Sequence, residues 1–402
     1  MKILHVIAQL PTRTGSGVYY SNVVEELKKY NHQQAALFAC QDDFEFEAIT
    51  NQYPVYFKTE ALPFPIAGMS DVMPYDNTVY SQMDDSMIEK WSAAFKEQLI
   101  KAKAEFEPDI VILHHLWMLT SMAIEIFDTQ KKIAIAHNTD IRQALQHPHM
   151  KYKYVSNLDK LDTIFSLSHL QNETISKVYN INLDKIITIG GGFNQNIFYP
   201  VKNKVKNDKI QLVFSAKIEQ SKGVYELVKA FNEICTFKDN VHLTIIGTPN
   251  KENEIILDKL IVGNENISLL KITDQKILAD EFRTKDIFIM PSYFEGLGLT
   301  AIEALATELR VVASEIEGLM SLLGDDINNS GVIEYVRLPR IYDTDKPYPE
   351  DLAGYVSRLM AKLLIQIERV EKEIPISNEI MIEIHNYSWK GIVSKINDII
   401  DK

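Results

Sequence analysis

The chain has 402 residues, 46% hydrophobic and 24% charged, a size that exceeds what one hydrophobic core usually serves and a composition that excludes disorder; two domains are expected, with one large barrel the alternative. A formal net charge of -13 excludes a general polyanion binder, because phosphate backbones are held by clustered Lys and Arg, so no nucleic-acid partner is expected. Two cysteines, Cys40 and Cys235, exclude a disulfide framework.

Met1 to Leu10 opens into an alternating apolar run without a charged leader or small-residue cleavage site, and no apolar stretch reaches membrane-spanning length, so the expected location is cytoplasmic. Peripheral membrane contact stays open, although no run of basic residues announces it.

Short apolar runs alternate with longer segments of helical period, the pattern of strands and crossover helices in a parallel sheet. A first series places strands near Lys2 to Ala8, Ala35 to Ala39, Asp109 to Leu113, Lys132 to Ala136, Thr163 to Leu167 and Lys185 to Ile189. After the first strand comes Pro11-Thr12-Arg13-Thr14-Gly15-Ser16-Gly17, then a helical pattern from about Val18. The amides of Gly15, Ser16 and Gly17 either cradle a phosphate or only make a tight turn, and Arg13 either adds charge there or is solvated. Leu62 to Asn77, with Pro63, Pro65, Gly68 and Pro74, breaks the alternation and reads as a long ordered loop, an acceptor-binding flap or a plain surface excursion.

In Ser86 to Phe106 the residues Ile88, Trp91, Phe95, Leu99, Ala102 and Phe106 fall on one helical stripe and face a core. His114 and His115 follow the third strand, and His137-Asn138-Thr139-Asp140 the fourth; a lone histidine in such a place is usually structural.

Pro200 to Lys209, polar and rich in Lys and Asn, reads as the linker between domains spanning 1–200 and 201–385. A second series follows with strands near Gln211 to Ser215, His242 to Ile246, Ile267 to Lys271, Asp286 to Met290 and Val311 to Ala313. At the end, Ser388 caps a helix with Trp389, Ile392, Ile396 and Ile399 on one side, within a final element at 386–402.

Ligands of open parallel sheets sit beyond the carboxyl ends of the strands, so the segments there carry the chemistry. Phe214-Ser215-Ala216-Lys217 ends one strand and Gln220-Ser221-Lys222-Gly223-Val224 opens a helix; taken alone, Lys217 and Lys222 read as surface lysines. After the strand ending at Met290 comes Pro291-Ser292-Tyr293-Phe294-Glu295-Gly296-Leu297-Gly298-Leu299-Thr300-Ala301-Ile302-Glu303. Glu295 stands before the helix, where its carboxylate can accept hydrogen bonds from a ligand's hydroxyls. The amides of Gly296, Leu297, Gly298 and Leu299 approach a ligand with little obstruction, and Glu303 lies about a turn and a half inside the helix.

This segment resembles the donor-site signature of family 4 retaining glycosyltransferases (glycosyl transferase group 1), in which a Glu, a glycine-containing turn and a second Glu span a loop and a helix start. In that family an Arg and a Lys face the nucleotide diphosphate; Lys217 stands where Arg is usual, keeping charge but losing bidentate geometry, and Lys222 matches. Ile189-Gly190-Gly191-Gly192-Phe193-Asn194-Gln195-Asn196-Ile197-Phe198-Tyr199-Pro200 is similar to the family's glycine, acid and Phe-x-Pro segment, with Asn194 for the usual Asp. His137 matches a histidine near the reacting centre. The resemblance covers nearly the whole chain, best in the later half. It departs at Thr307-Glu308-Leu309-Arg310, where Gly-x-Pro is common, and in an insert-like stretch from Asn328 to Pro349.

The resemblance implies an α/β fold of two Rossmann-like parallel-sheet domains facing across a cleft (GT-B), the last helix crossing back to the first domain. It implies retaining transfer of a hexosyl group from a nucleotide diphosphate sugar, a UDP-sugar favoured, to an unidentified acceptor in cell-surface glycan or glycolipid synthesis. His137, Lys217, Lys222 and Glu295 are then the catalytic candidates; Gly15, Ser16, Gly17, Gly296, Leu297, Gly298, Leu299 and Glu303 are the donor-binding ones. No cofactor is expected, and no metal, because no His/Asp/Cys cluster has ligand spacing and two lysines replace a cation at the diphosphate. A nucleotide-sugar epimerase of the same fold, or a catalytically silent partner subunit of another transferase, are the alternatives: the first makes a new epimer from donor alone, the second binds no donor.

Overall fold

The computed structural model describes residues 1–10, 14–41, 44–202, 204 and 207–401. They form two compact units, one of Met1–Gly191 with Ile392–Lys402 and one of Gly192–Gly391.

The first unit holds strands β1 (Lys2–Ile7), β2 (Gln33–Cys40), β3 (Asn51–Tyr56), β4 (Ile110–His114), β5 (Lys131–Ile135), β6 (Thr163–Ser166) and β7 (Ile186–Thr188). They pair in the order β3-β2-β1-β4-β5-β6-β7, every neighbour parallel. Strands β1 and β4 read as near-continuous apolar runs because a central strand of a parallel sheet is covered on both faces. Helices α1 (Gly15–Leu27), α2 (Asp85–Phe106), α3 (Met118–Ile126), α4 (Thr139–Gln146), α5 (Pro148–Tyr154) and α6 (His169–Tyr179) make the crossovers. Asp84 caps α2 by accepting the Met87 N–H at 2.8 Å, and the predicted stripe from Ile88 to Phe106 is buried. Strand β3 has no counterpart among the predicted strands: Pro54 demotes the run, yet the edge of a sheet tolerates it while Tyr53 and Val55 turn inward.

The second unit repeats the plan with β8 (Ile210–Ser215), β9 (Val241–Ile246), β10 (Ile267–Leu270), β11 (Ile287–Met290), β12 (Arg310–Ser314) and β13 (Ile333–Val336), ordered β10-β9-β8-β11-β12-β13 and all parallel. Its helices are α7 (Val224–Cys235), α8 (Lys251–Ile261), α9 (Gln275–Arg283), α10 (Leu299–Ala306), α11 (Glu317–Asn329), α12 (Leu352–Glu371) and α13 (Asn378–His385). The stretch read as an insert from Asn328 to Pro349 contains β13, whose Ile333 and Val336 are buried beside β12. In each sheet the direction of winding reverses beside the first strand, between β1 and β4 and between β8 and β11, and that is where such sheets open a crevice for ligands.

Two boundaries differ from the sequence reading. The units divide after Gly191 rather than at 200, because Phe193 and Phe198 are buried in one apolar cluster with Phe282, Met381 and Ile384. The chain rejoins the first unit at Ile392, not at 386, inside helix α14 (Trp389–Ile400). Up to that point it is held to the second unit by Phe193 N–H donating to Tyr387 O at 3.1 Å and Trp389 N–H donating to Phe193 O at 2.9 Å. Ser388 caps α14, its Oγ accepting the Gly391 N–H at 3.1 Å.

Candidate active site

At the winding reversal of the second unit, the loops after β8 and β11 enclose a cavity of about 370 Å³ whose lining includes Lys217, Lys222, Ser292, Glu295, Gly298 and Leu299. Lys222 Nζ lies 2.8 Å from Glu295 Oε1, and Ser292 Oγ donates to the same oxygen at 3.0 Å. Lys222 and Glu295 were expected to hold different parts of a ligand; here the lysine and the carboxylate hold each other. Lys217 is exposed and has no ion-pair or hydrogen-bond partner among the described residues.

The two loops are locked backbone to backbone. Gly223 has φ +66°, and a Cβ there would come within 2.1 Å of Pro291 O, so glycine is required both by the turn and by the contact. Tyr293 N–H donates to Ser221 O at 2.9 Å. Below them the buried carboxylate of Glu226 accepts from Tyr293 Oη at 2.8 Å and Gln220 Nε2 at 3.0 Å, and Tyr355 Oη donates to Pro291 O at 3.0 Å. Sequence reasoning missed Glu226, Tyr293 and Tyr355 as supports. The available signal was a charged residue on the apolar face of α7, which needs a partner when buried.

Gly298, at φ +64°, ends the loop and opens α10 without a side-chain cap. The amides of Leu299 and Thr300 donate to no described residue, which leaves an anion-friendly helix terminus at the cavity. Of the other residues expected to offer amides here, Gly296 and Leu297 do not line the cavity: Gly296 O lies where a Cβ on Gly318 would stand only 2.1 Å away, and Leu297 packs against the apolar core. Glu303 is also outside the lining, but it follows Leu299 and Thr300 by four and three residues on α10 and so shares their face. It has no partner among the described residues, and burial pushes its carboxyl up to about 8.

In the first unit, Pro11, Thr12 and Arg13 lie outside the described residues. Thr14 caps α1, its Oγ1 accepting the Gly17 N–H at 3.2 Å, so the Gly17 amide is already used and the turn offers those of Gly15 and Ser16. Between the ends of β4 and β5 sits a buried histidine cluster. His137 Nε2 and His114 Nδ1 are 3.0 Å apart with rings inclined by only 14°, and His115 packs on His137 with centroids 4.8 Å apart. Burial holds His115 near 3 and both His114 and His137 well below the ordinary imidazole value, so all three are neutral at physiological pH. Asp140 fastens the cluster: its carboxylate accepts from Leu116 N–H at 2.7 Å, His137 N–H at 3.1 Å and Ile141 N–H at 3.0 Å. Burial raises the Asp140 carboxyl, against the lowering effect of those N–H donors.

The Leu62 to Asn77 loop is pinned rather than loose. Gln9 Oε1 accepts from Met69 N–H and Tyr75 Oη, each at 3.0 Å, and Asp71 meets Gln143 at 2.9 Å and His147 at 3.1 Å. A larger cavity, about 650 Å³, is bordered by Arg310, Asp325 and Arg369 near the amino end of β12 and holds none of the predicted site residues. Among the described residues no group of three His, Cys, Asp or Glu could hold a metal ion, and no helix is long and apolar enough to cross a membrane.

Residues 196–336 match the family model of glycosyl transferases group 1. The match covers about a third of the chain. A probable sucrose-phosphate synthase of Thermosipho melanesiensis is 28% identical over 206 residues, 49% of this chain and 48% of its own, so the chain spans about half the length of that relative. The putative teichuronic acid biosynthesis glycosyltransferase TuaC of Bacillus subtilis is 20% identical over 81% of the chain and 83% of its own length. Among solved structures, a glycosyltransferase of Rickettsia africae superimposes with TM-score 0.66 at 15% identity, covering 99% of this chain and 97% of that one. HepE of Anabaena in complex with UDP does so with TM-score 0.64 at 13% identity over the whole of both chains. These likenesses show the two-domain GT-B fold.

Proposed function

We propose that the protein is a retaining glycosyltransferase of the family 4 kind, moving a hexosyl group from a nucleotide diphosphate sugar to an acceptor hydroxyl. The observation that carries this reading is the cavity at the winding reversal of the second unit, where two ammonium groups, a carboxylate and an uncapped helix terminus converge. A departing nucleoside diphosphate gains negative charge as its glycosidic bond breaks, and fixed cations stabilise that charge more in the transition state than in the ground state. Lys217 and Lys222 take the diphosphate, Glu295 with the amides at the start of α10 takes the sugar, and Glu303 takes the ribose hydroxyls. Donor binding then divides the Lys222–Glu295 pair, the phosphate replacing the carboxylate on Lys222 and a sugar hydroxyl replacing the ammonium on Glu295. On the first unit, His137 is assigned to the reacting sugar and the amides of Gly15 and Ser16 to a phosphate group.

A UDP-sugar is the proposed donor, supported by HepE, whose fold the chain shares and whose structure holds UDP and glucose. A cell-surface glycan or glycolipid precursor is the proposed acceptor, supported by relatives described for teichuronic acid and capsular polysaccharide biosynthesis. The reaction is assigned to the cytoplasm and to the protein without a metal or cofactor. The test is release of UDP from a panel of UDP-sugars, with the anomeric configuration of the product read by NMR. Lys222→Met and Glu295→Gln are each expected to lower the rate ~100-fold or more while circular dichroism stays unchanged. Undiminished turnover in both variants ends the assignment; a new epimer from donor alone identifies an epimerase, and no donor binding by calorimetry a silent partner.

A further inference from the structure

Of the buried polar groups, the pair His114 and His137 carries chemistry beyond its packing. The two rings are nearly parallel and joined through His114 Nδ1 and His137 Nε2 at 3.0 Å. Both are neutral, so each ring carries one proton, and one of those protons lies between them. Two arrangements satisfy this. If His137 donates from Nε2, the proton of His114 sits on its Nε2, which is buried and has no partner, leaving an orphaned N–H. If His114 donates from Nδ1, its Nε2 keeps only an unmet lone pair, and the proton of His137 sits on Nδ1. Orphaned buried N–H donors are rarer than under-satisfied acceptors, which favours the second arrangement. In it the Nδ1–H of His137, which has no partner among the described residues, is left to meet a ligand.

The backbone supports the same geometry. Asp140 ties Leu116, two residues beyond His114, to His137, so one carboxylate fixes the loops after β4 and β5 relative to each other and with them the ring stacking. We propose that His114 is a positioning residue that locks His137 as its Nδ1–H tautomer, making His137 a hydrogen-bond donor to a sugar oxygen and not a base. This rests on the assignment of His137 to the reacting sugar, and it specifies what that residue offers there: one N–H toward an oxygen lone pair, with no proton transferred.

The tautomer is read without any substrate, by long-range ¹⁵N–¹H NMR of the ¹⁵N-histidine-labelled protein at pH 7. Nδ1–H on both His114 and His137 is the expected result, and Nε2–H on His137 overturns the proposal. Acceptor-free hydrolysis of UDP-glucose supplies the second readout. His114→Leu is expected to lower kcat about tenfold with KM unchanged, in the range for losing a residue that orients another. His114→Asn, whose amide nitrogen can replace the Nδ1–H donor, restores most of that loss. Full kcat in folded His114→Leu refutes the positioning role. A locked tautomer together with undiminished hydrolysis by His137→Phe instead removes His137 from the reaction, so failure of the lock and failure of the site assignment are told apart.

Discussion

If Glu303 takes the ribose hydroxyls as proposed, raising the pH from 6 to 8 is expected to tighten UDP-glucose binding about 50-fold through that carboxyl. Its carboxyl is raised from 4.5 to about 8 by burial, with no cation or hydrogen-bond donor among the described residues to offset it. Ribose hydroxyls donate to a carboxylate, so binding draws on the ionised form and returns the group toward its ordinary value. In the free protein Glu303 is then roughly 99% protonated at pH 6 and half protonated at pH 8, which weakens binding by about 100-fold and about twofold respectively, a difference of ~2 kcal/mol. The diphosphate of a nucleotide sugar has no proton to lose in this range, so the ligand stays constant. Isothermal titration in buffers of different ionisation enthalpy reads both the affinity and the proton count, with release of about 0.9 proton expected at pH 7. Glu303→Gln flattens the profile. Affinity independent of pH in the native protein, or proton uptake on binding, refutes the reasoning.

Without ligand the sign reverses: a carboxyl raised from 4.5 to about 8 contributes stability that is full below its unfolded value and lost as pH rises through 8, so Tm falls across that window and Glu303→Gln removes its share of the slope. Gly223→Ala places a Cβ 2.1 Å from Pro291 O at φ +66°, and urea denaturation is expected to show a loss of more than ~2 kcal/mol. Tyr293→Phe deprives the buried Glu226 carboxylate of its 2.8 Å hydroxyl donor and is expected to cost about 1.5–3 kcal/mol by the same measurement. Glu308 is exposed and holds φ +62°, so Glu308→Gly relieves backbone strain and is expected to add ~0.5–1 kcal/mol; a loss of stability contradicts that account.

The strands at the centre of each sheet and the α2 stripe were legible because burial on both faces, or on one helical face, writes a local apolar period into the chain. The loops that bear Lys217, Lys222 and Glu295 were legible for a related reason: in a parallel sheet, ligand chemistry collects after the strand ends, and those ends can be read locally. Strand β3 escaped the reading because Pro54 interrupts its run, which a sheet edge tolerates, and β13 because it lies inside the stretch from Asn328 to Pro349 that was read as an insert. The domain boundary escaped it because a polar linker at 200–209 is a composition signal, whereas Phe193 and Phe198 are claimed by partners far along the chain.

Sequence by itself determined the two parallel sheets, their strand ends and the residue types offered there. Tertiary structure alone decided which of those residues meet: Lys222 with Glu295, the Glu226 carboxylate under both loops, the His114–His137 hydrogen bond, and the unpartnered burial of Glu303. Periodicity reports which way a side chain faces within its own element. Pairing across elements, and the desolvation that moves a carboxyl or an imidazole, depend on atoms contributed by distant segments, and no local pattern records them.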